Sequence, residues 1–235
     1  LATFSAEKSG ENHADRAVFT AIDMQNNMED INAWNAAHGY PVFEMGIGIN
    51  TGETIVGNIG SEMRTKYAVT GKTVNICGRI ESYSVGGQIL IGPETAAQIG
   101  CELRTETVIE VYPKGASQPM PVSSICAMGA PYDLEKNTPR QAELTALEKP
   151  LAVTFRVIRD KHVDIAPTQG SFLSLSEQGG LLRTGAEMQL YENLEFHIGG
   201  QLYGKLVGKT GDDWQVVFTA RPEEFTDWLR AALEG

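Results

Sequence analysis

Residues 46–81, GIGINTGETIVGNIGSEMRTKYAVTGKTVNICGRIE, decide how this chain is read. Two glycine-punctuated apolar strands lead to a basic turn, and then to a helix that carries Asn75 and Arg79 four residues apart. At that spacing both side chains project from one helix face. An amide beside a guanidinium suits a substrate that is both sugar-like and phosphorylated. The Asn hydrogen-bonds a ribose oxygen, and the Arg forks onto phosphate oxygens whose charge grows as a bond breaks. The plainer alternative is an exposed helix face with two solvated polar residues. Two other motifs are set aside. Gly71-Lys72-Thr73 is not a phosphate loop, because that motif needs a glycine five residues before its Gly-Lys pair and position 66 is lysine. Gly46, Gly48 and Gly52 are not a dinucleotide fingerprint; they sit in a strand and hairpin, where glycine admits close backbone packing.

At 235 residues the chain has room for one large or two small domains. Its 42% hydrophobic content is enough to bury a core. A net charge of −11 and a pI near 4.8 argue against a nucleic-acid-coating surface, which needs clustered Lys and Arg. Binding one nucleoside triphosphate needs only a few cations in one pocket. Cys77, Cys101 and Cys126 are an odd set without paired spacing, which reads as reduced thiols in a cytoplasmic setting. The histidines are scattered, and His13, at a helix start, reads as a capping or surface residue. No apolar run approaches the ~18 residues that span a bilayer, and no charged-then-apolar signal segment opens the chain.

Leu1 to Phe4 reads as strand-like. From Ala14 to about His38, apolar residues at Val18, Ala21, Ile22, Met28, Ile31 and Trp34 recur at near-helical spacing, and Gly39 ends that helix. Val42–Asn50 and Thr54–Ile59 read as strands joined by Gly52, and Lys66–Thr70 as a third. Gly71 turns the chain into a helix over Val74–Ser82. Strand Gln88–Ile91, a short helix over Pro93–Ile99, and strands near Thr107–Tyr112 and Val122–Met128 follow. Strands alternating with helices imply an α/β layer with helices packed on a sheet. A polar run from Asp133 to Arg140 and a short helical turn around Leu144 mark a linker over 131–150, between domains 1–130 and 151–235. Beyond it Val153–Ile158, Phe172–Ser176, Met188–Glu195, Leu202–Val207 and Gln215–Thr219 read as short strands. Gly179-Gly180 and Gly211 are the turns, the pattern of a small barrel. Pro222 starts a helix whose Phe225, Trp228, Leu229 and Ala232 form one apolar stripe.

From about Leu1 to Gly129 the chain resembles the class III nucleotidyl cyclases, the adenylate and guanylate cyclase catalytic domain. The likeness is carried by GIGINTGETIVGNIG (46–60), YAVTG (67–71) and TVNICGRIE (73–81). Asn12 to Val18 resembles the family's helix start, and Ile89-Leu90-Ile91 its later strand. The resemblance implies an α+β or α/β, ferredoxin-like cyclase homology domain lacking its first strands. It also implies conversion of ATP or GTP to a 3′,5′-cyclic nucleotide and pyrophosphate, in signal transduction, at a site shared across a homodimer. By the same resemblance Asn75 orients the ribose and Arg79 steadies the transition-state phosphate. Arg64 matches an arginine that contacts the terminal phosphates, and Lys114 a phosphate-binding lysine. Ala68 occupies a base-reading position, where a methyl group hydrogen-bonds nothing, so ATP and GTP both stay open; Thr70 or backbone groups are the substitutes. Lys72 stands where bacterial members often carry Asp.

The family's reaction uses two divalent ions, Mg2+ or Mn2+, and its two metal-binding aspartates would fall upstream of residue 1. The chain alone is therefore expected to be inactive, and loss of a central strand to expose apolar sheet and helix faces. A second reading is a catalytically inactive cyclase-like signalling or scaffold module. It draws on Ala68, Lys72 and the missing carboxylates.

Residues 151–235 resemble a PilZ domain. Ser174-Leu175-Ser176-Glu177-Gln178-Gly179-Gly180 is similar to that family's turn, in which an acidic or amide residue, a Ser and a Gly contact cyclic di-GMP. Ser176 and Gly179 fit, and Ser174 replaces the first residue. The family's two arginines lie four apart; here Arg156 and Arg159 lie three apart, with Asp160 at the expected second position. The expectation is a PilZ-like barrel with a C-terminal helix that serves docking or regulation and does not take cyclic di-GMP.

Overall fold

A computed structural model describes residues 1–5, 12–61, 64–112, 118–137, 143–159, 162–198, 200–222 and 224–234. The chain divides into two compact units, Leu1–Thr138 and Pro139–Gly235.

In the first unit α1 (His13–Asn26) opens at Asn12, whose side-chain oxygen accepts the Ala14 and Asp15 amides. α2 (Met28–Ala37) follows. The single helix predicted from Ala14 to His38 is thus two. The break falls at Asn27, whose side-chain amide donates to the Asp23 carbonyl at 2.7 Å beside the bond from its own backbone N–H at 3.1 Å. Gly39, at φ +72°, ends α2. Then come β1 (Ile47–Ile49), β2 (Ile55–Ser61), β3 (Arg64–Thr70), α3 (Lys72–Tyr83), β4 (Ile89–Ile91) and α4 (Pro93–Ala96). β5 (Leu103–Val111), β6 (Met120–Met128) and β7 (Leu134–Glu135) complete the unit.

The sheet runs β1-β4-β6-β5, with β7 added against β6. β1 and β4 are parallel, joined across α3 as a βαβ crossover, and the other pairings are antiparallel. That crossover is the part of the ferredoxin-like expectation seen here. Three sequence readings differ from the structure. Leu1–Phe4 and residues 42–46 form no strand, and β2 pairs with β3 in a sheet of their own instead of returning on β1.

Alternation along the strands fixes which helix covers which face. Ile47, Ile49, Ile89 and Ile91 pack with Val18, Ala21 and Ile22 of α1. The other face of β1 carries Gly46 and Gly48, and Gly52 follows at the same alternation. A Cβ on Gly46 would meet Ser84 Oγ at 2.1 Å, one on Gly48 the Glu81 nitrogen at 2.4 Å, and one on Gly52 Thr73 Oγ1 at 2.6 Å. Helix α3 therefore lies almost backbone to backbone on β1, as the glycine spacing implied. Exposed apolar side chains gather elsewhere: Ile31 and Trp34 of α2, which buries no residue, and Tyr40, Val42 and Phe43 after it.

Part of the stretch read as linker is fastened to the first unit. Asn26 donates to the Glu135 carbonyl (2.9 Å) and accepts the Asn137 amide (2.7 Å). Buried Lys136 donates to the Gly87 carbonyl (3.0 Å) and pairs with Glu106 (3.1 Å), so its charge is met. A helical turn was expected around Leu144; among the described residues Leu144 is not helical, and a strand begins at Thr145.

The second unit holds β8 (Thr145–Arg159), β9 (His162–Val163), β10 (Thr168–Leu175), β11 (Gly179–Arg183), β12 (Asn193–His197), β13 (Gln201–Thr210), β14 (Asp213–Ala220) and α5 (Phe225–Glu234). Pairing runs β8-β10-β11-β14-β13-β12 and back to β8, a closed six-stranded antiparallel barrel with β9 appended to β8. Closure leaves these strands no free edge. Phe155, Phe172, Phe196 and Phe218 fill it, and α5 adds Phe225 and Leu229 to the same core. Strand β11 contains Gly179-Gly180, which the sequence reading took for a turn. A Cβ on Gly179 would sit 2.1 Å from the Val216 carbonyl oxygen, and one on Gly180 2.8 Å from Phe172, so both glycines mark close approach inside a strand.

The α3–β1 contact sets a stability contrast. Gly48→Ala meets main-chain atoms and is expected to cost about 1–3 kcal/mol. Gly78→Ala faces open space on the same helix and should be neutral or gain up to about 1 kcal/mol. Denaturant unfolding of the two variants checks this; equal effects would contradict the packing.

Candidate functional site

Helix α3 begins at Gly71, whose φ of +138° only glycine adopts without strain. No side chain caps it. Its sheet-facing side is marked by Thr73, Cys77, Ile80 and Glu81: Cys77 donates to the Gly48 carbonyl at 3.3 Å, and Ile80 is fully buried. At about 100° per residue, Asn75 and Arg79 fall on the opposite side. Asn75 is exposed and Arg79 partly so. The two sequence-predicted residues are thus together, on a free face.

Tyr83 lies one turn beyond Arg79. Burial pushes its phenol above the usual range, and the Arg79 charge pulls it partly back. Its hydroxyl donates to the Tyr112 carbonyl at 3.2 Å, which ties the end of the β5 segment to the C-terminal end of α3. Lys114 lies outside the described residues, two positions beyond that tie. The Tyr83–Tyr112 bond carries no sequence signal, since 29 residues separate the partners.

Arg64 opens β3, paired opposite Ser61 and exposed. Gly71 lies seven positions on, at the far end of that strand, about 23 Å of rise away. Within one copy of the chain, Arg64 is not brought to Asn75 and Arg79. Ala68 lies opposite Gly57, partly buried, and offers only a methyl group. The β2–β3 ribbon exposes Ile55, Val56, Ile59 and Tyr67.

Burial also raises the Cys77 thiol above its ordinary range, so it sits as a neutral donor, not a nucleophile. The three cysteines are free. Among the described residues no group of three or more His, Cys, Asp or Glu is arranged to hold a cation. These residues do not fit a two-ion carboxylate site.

In the barrel, Ser176 Oγ accepts the Gln178 amide (3.2 Å) and lies 3.4 Å from the Gly179 carbonyl, closing the turn between β10 and β11. Arg156 sits on β8 opposite Glu195. Arg159 is held by Asp164 (3.0 Å) and Glu192 (2.8 Å), which raise its pKa further, the Glu192 hydrogen bond first. β8 and β10 pair from Phe155–Thr168 at one end to Thr145–Leu175 at the other. The two arginines and the Ser176–Gly179 turn therefore lie at opposite ends of that pairing, about 25 Å of strand apart. Arg221 reaches the turn and donates to the Glu177 carbonyl at 2.8 Å. Sequence reading missed it because 44 positions separate the partners.

The model of the adenylate and guanylate cyclase catalytic domain matches residues 1–121. The crystal structure of the guanylyl cyclase Cya2 is 42% identical, with a TM-score of 0.53, over 57% of this chain and 68% of that one. Adenylate cyclase 1 of Rhizobium meliloti (strain 1021) is 31% identical over 100 residues, 42% of this chain. The guanylate cyclase soluble subunit beta-2 of Rattus norvegicus is 30% identical over 108 residues, 45% of this chain. The match spans 15% of the length of each of these two relatives. The chain belongs to the adenylate and guanylate cyclase catalytic-domain family. Among the described residues, no helix is long and apolar enough to cross a membrane.

The separation in the barrel leads to a direct measurement. Titration calorimetry of the chain with cyclic di-GMP is expected to show no binding in the micromolar range. A saturable heat there, lost in Arg156→Ala or Arg159→Ala, would contradict the assignment.

Proposed function

We propose that the first unit supplies one half of a nucleotidyl cyclase site, and that a second copy of the protein supplies the other. The supporting observation is the exposed Asn75–Arg79 pair on α3, held on the side of the helix away from the sheet. In the proposed reaction the ribose 3′-hydroxyl oxygen of ATP or GTP attacks the α-phosphorus, the bond from that phosphorus to the α,β-bridging oxygen breaks, and pyrophosphate leaves with that oxygen and the hydroxyl proton. The Asn75 carboxamide hydrogen-bonds a ribose oxygen and aligns the attacking group. The Arg79 guanidinium forks onto the α-phosphate as its charge grows. The divalent ions that the family's reaction uses, Mg2+ or Mn2+, find no carboxylate cluster among the described residues. Lys114 is proposed as a phosphate ligand because Tyr112, two residues earlier, is tied to α3. Arg64 is proposed to contact phosphate from the ribbon of one copy in a site completed by the other.

A shared site agrees with two features of the fold. A two-stranded ribbon is marginal alone, and this one carries exposed apolar side chains suited to cover by a partner. Ala68 leaves base choice to other groups. The barrel is proposed as a PilZ-like docking or regulatory module, supported by its closed six-stranded wall and helix α5. A second reading, a non-catalytic scaffold of the same fold, is favoured by Ala68 and by the lack of a carboxylate cluster among the described residues.

The deciding assay uses the intact protein with ATP or GTP and Mn2+ or Mg2+. Cyclic nucleotide formation is expected, and a folded dimer that makes none would establish the scaffold reading instead. In the active protein Arg79→Ala is expected to lower kcat roughly 10²–10³-fold with little change in KM, as for loss of one preorganised donor. Unchanged kcat would contradict the role given to Arg79.

A further inference from the structure

We propose that Asn50, at the C-terminal end of β1, is a positioning residue that sets the first turn of α3, and through it Asn75. The inference rests on the cyclase reading above. Along the strand face turned toward α3, positions 46, 48 and 52 are glycine and 50 is not. Of these four positions Asn50 is thus the one that sends a side chain toward α3, in a contact that Cys77 crosses from the helix side. Its Nδ2 donates to the Thr73 carbonyl at 3.2 Å. That acceptor fixes the orientation of the amide, since only the NH2 end donates.

The other end, Oδ1, is buried, and no hydrogen-bond donor among the described residues reaches it. A buried acceptor left unmade costs stability, and few native polar groups are in that state. An apolar side chain of similar size would avoid the cost but would release Thr73. The retained amide is explained by what its donor end does. α3 has no side-chain cap at its start. Its first turn is tied down by Asn50 on the Thr73 carbonyl and by Thr73 Oγ1 on the Glu53 carbonyl, at 2.8 Å. Asn75 stands two residues on, so a shift of this turn moves its carboxamide off the ribose. Misplacement of about 1 Å costs up to roughly 10²-fold in rate.

Gly92 gives a second handle on the same group. A Cβ there would lie 2.5 Å from Asn50 Oδ1 and 3.0 Å from Ile80 Cδ1. Its backbone, at φ −73° and ψ 162°, accepts alanine without strain. Gly92→Ala therefore pushes on Asn50, and on Ile80 of α3, from outside the first turn of the helix.

The test compares Asn50→Asp, which keeps the shape and loses the donor, and Gly92→Ala with the unaltered intact protein. Each is followed by steady-state cyclase kinetics per folded molecule and by amide hydrogen exchange over 73–79. Both variants are expected to lose at least about tenfold in kcat with KM within about twofold, and to exchange faster in the first turn of α3. A lowered melting temperature with kcat and exchange over 73–79 unchanged would make Asn50 a merely structural residue and overturn the proposal. If the unaltered protein forms no cyclic nucleotide, the cyclase reading fails by itself. Exchange then decides alone: faster exchange over 73–79 upholds the positioning role, and unchanged exchange overturns it.

Discussion

Helix α3 lies against β1 at a distance that side chains on that strand face would forbid. Gly46, Gly48 and Gly52 each face an atom of α3 or of its C-terminal cap that a Cβ would strike. The contact has two consequences. It buries Ile80 and the Cys77 side of the helix against the sheet, and it leaves the opposite side, with Asn75 and Arg79, turned outward. The chemistry proposed for this protein depends on that outward face, and the outward face depends on three missing side chains.

The same face gathers its surroundings from distant parts of the chain. Tyr83 brings in the end of β5 and with it the approach to Lys114. Buried Lys136 fastens the segment after β7 to Gly87, in the turn that leads from α3 into β4. The second unit reaches stability by other means, a closed antiparallel wall filled by phenylalanines. Its turn between Ser176 and Gly179 is engaged by Arg221 and by its own hydroxyl and amide groups.

Much of the first unit was legible in the sequence because its signals are local. The glycine spacing, the Gly71 turn and the Asn75–Arg79 spacing lie within 36 consecutive residues, 46 to 81. Elements that hang on competition between local groups were read less well. One apparent helix is two, parted at Asn27, and periodicity alone does not register a side chain bonding to a carbonyl four residues back. Gly179-Gly180 has the composition of a turn, yet the pair lies in a strand because Val216 and Phe172 crowd it. Contacts between distant positions left no trace at all. Asn50 with Thr73, Tyr83 with Tyr112 and Arg221 with Glu177 become visible only once the strands are paired. Arg156 and Arg159 are the arginines that the PilZ resemblance offers, at a spacing that departs from that family's, and strand register puts them at the far end of β8 from Ser176.

The most direct measurement is a crystal structure of the intact protein with Mn2+ and a non-cyclising analogue of ATP or GTP. The account expects the nucleotide in a groove between two copies. The Asn75 carboxamide should lie within hydrogen-bond distance of the ribose and the Arg79 guanidinium on the α-phosphate. A nucleotide bound elsewhere, or an α3 rotated so that Asn75 and Arg79 pack on the sheet of their own copy, would contradict it.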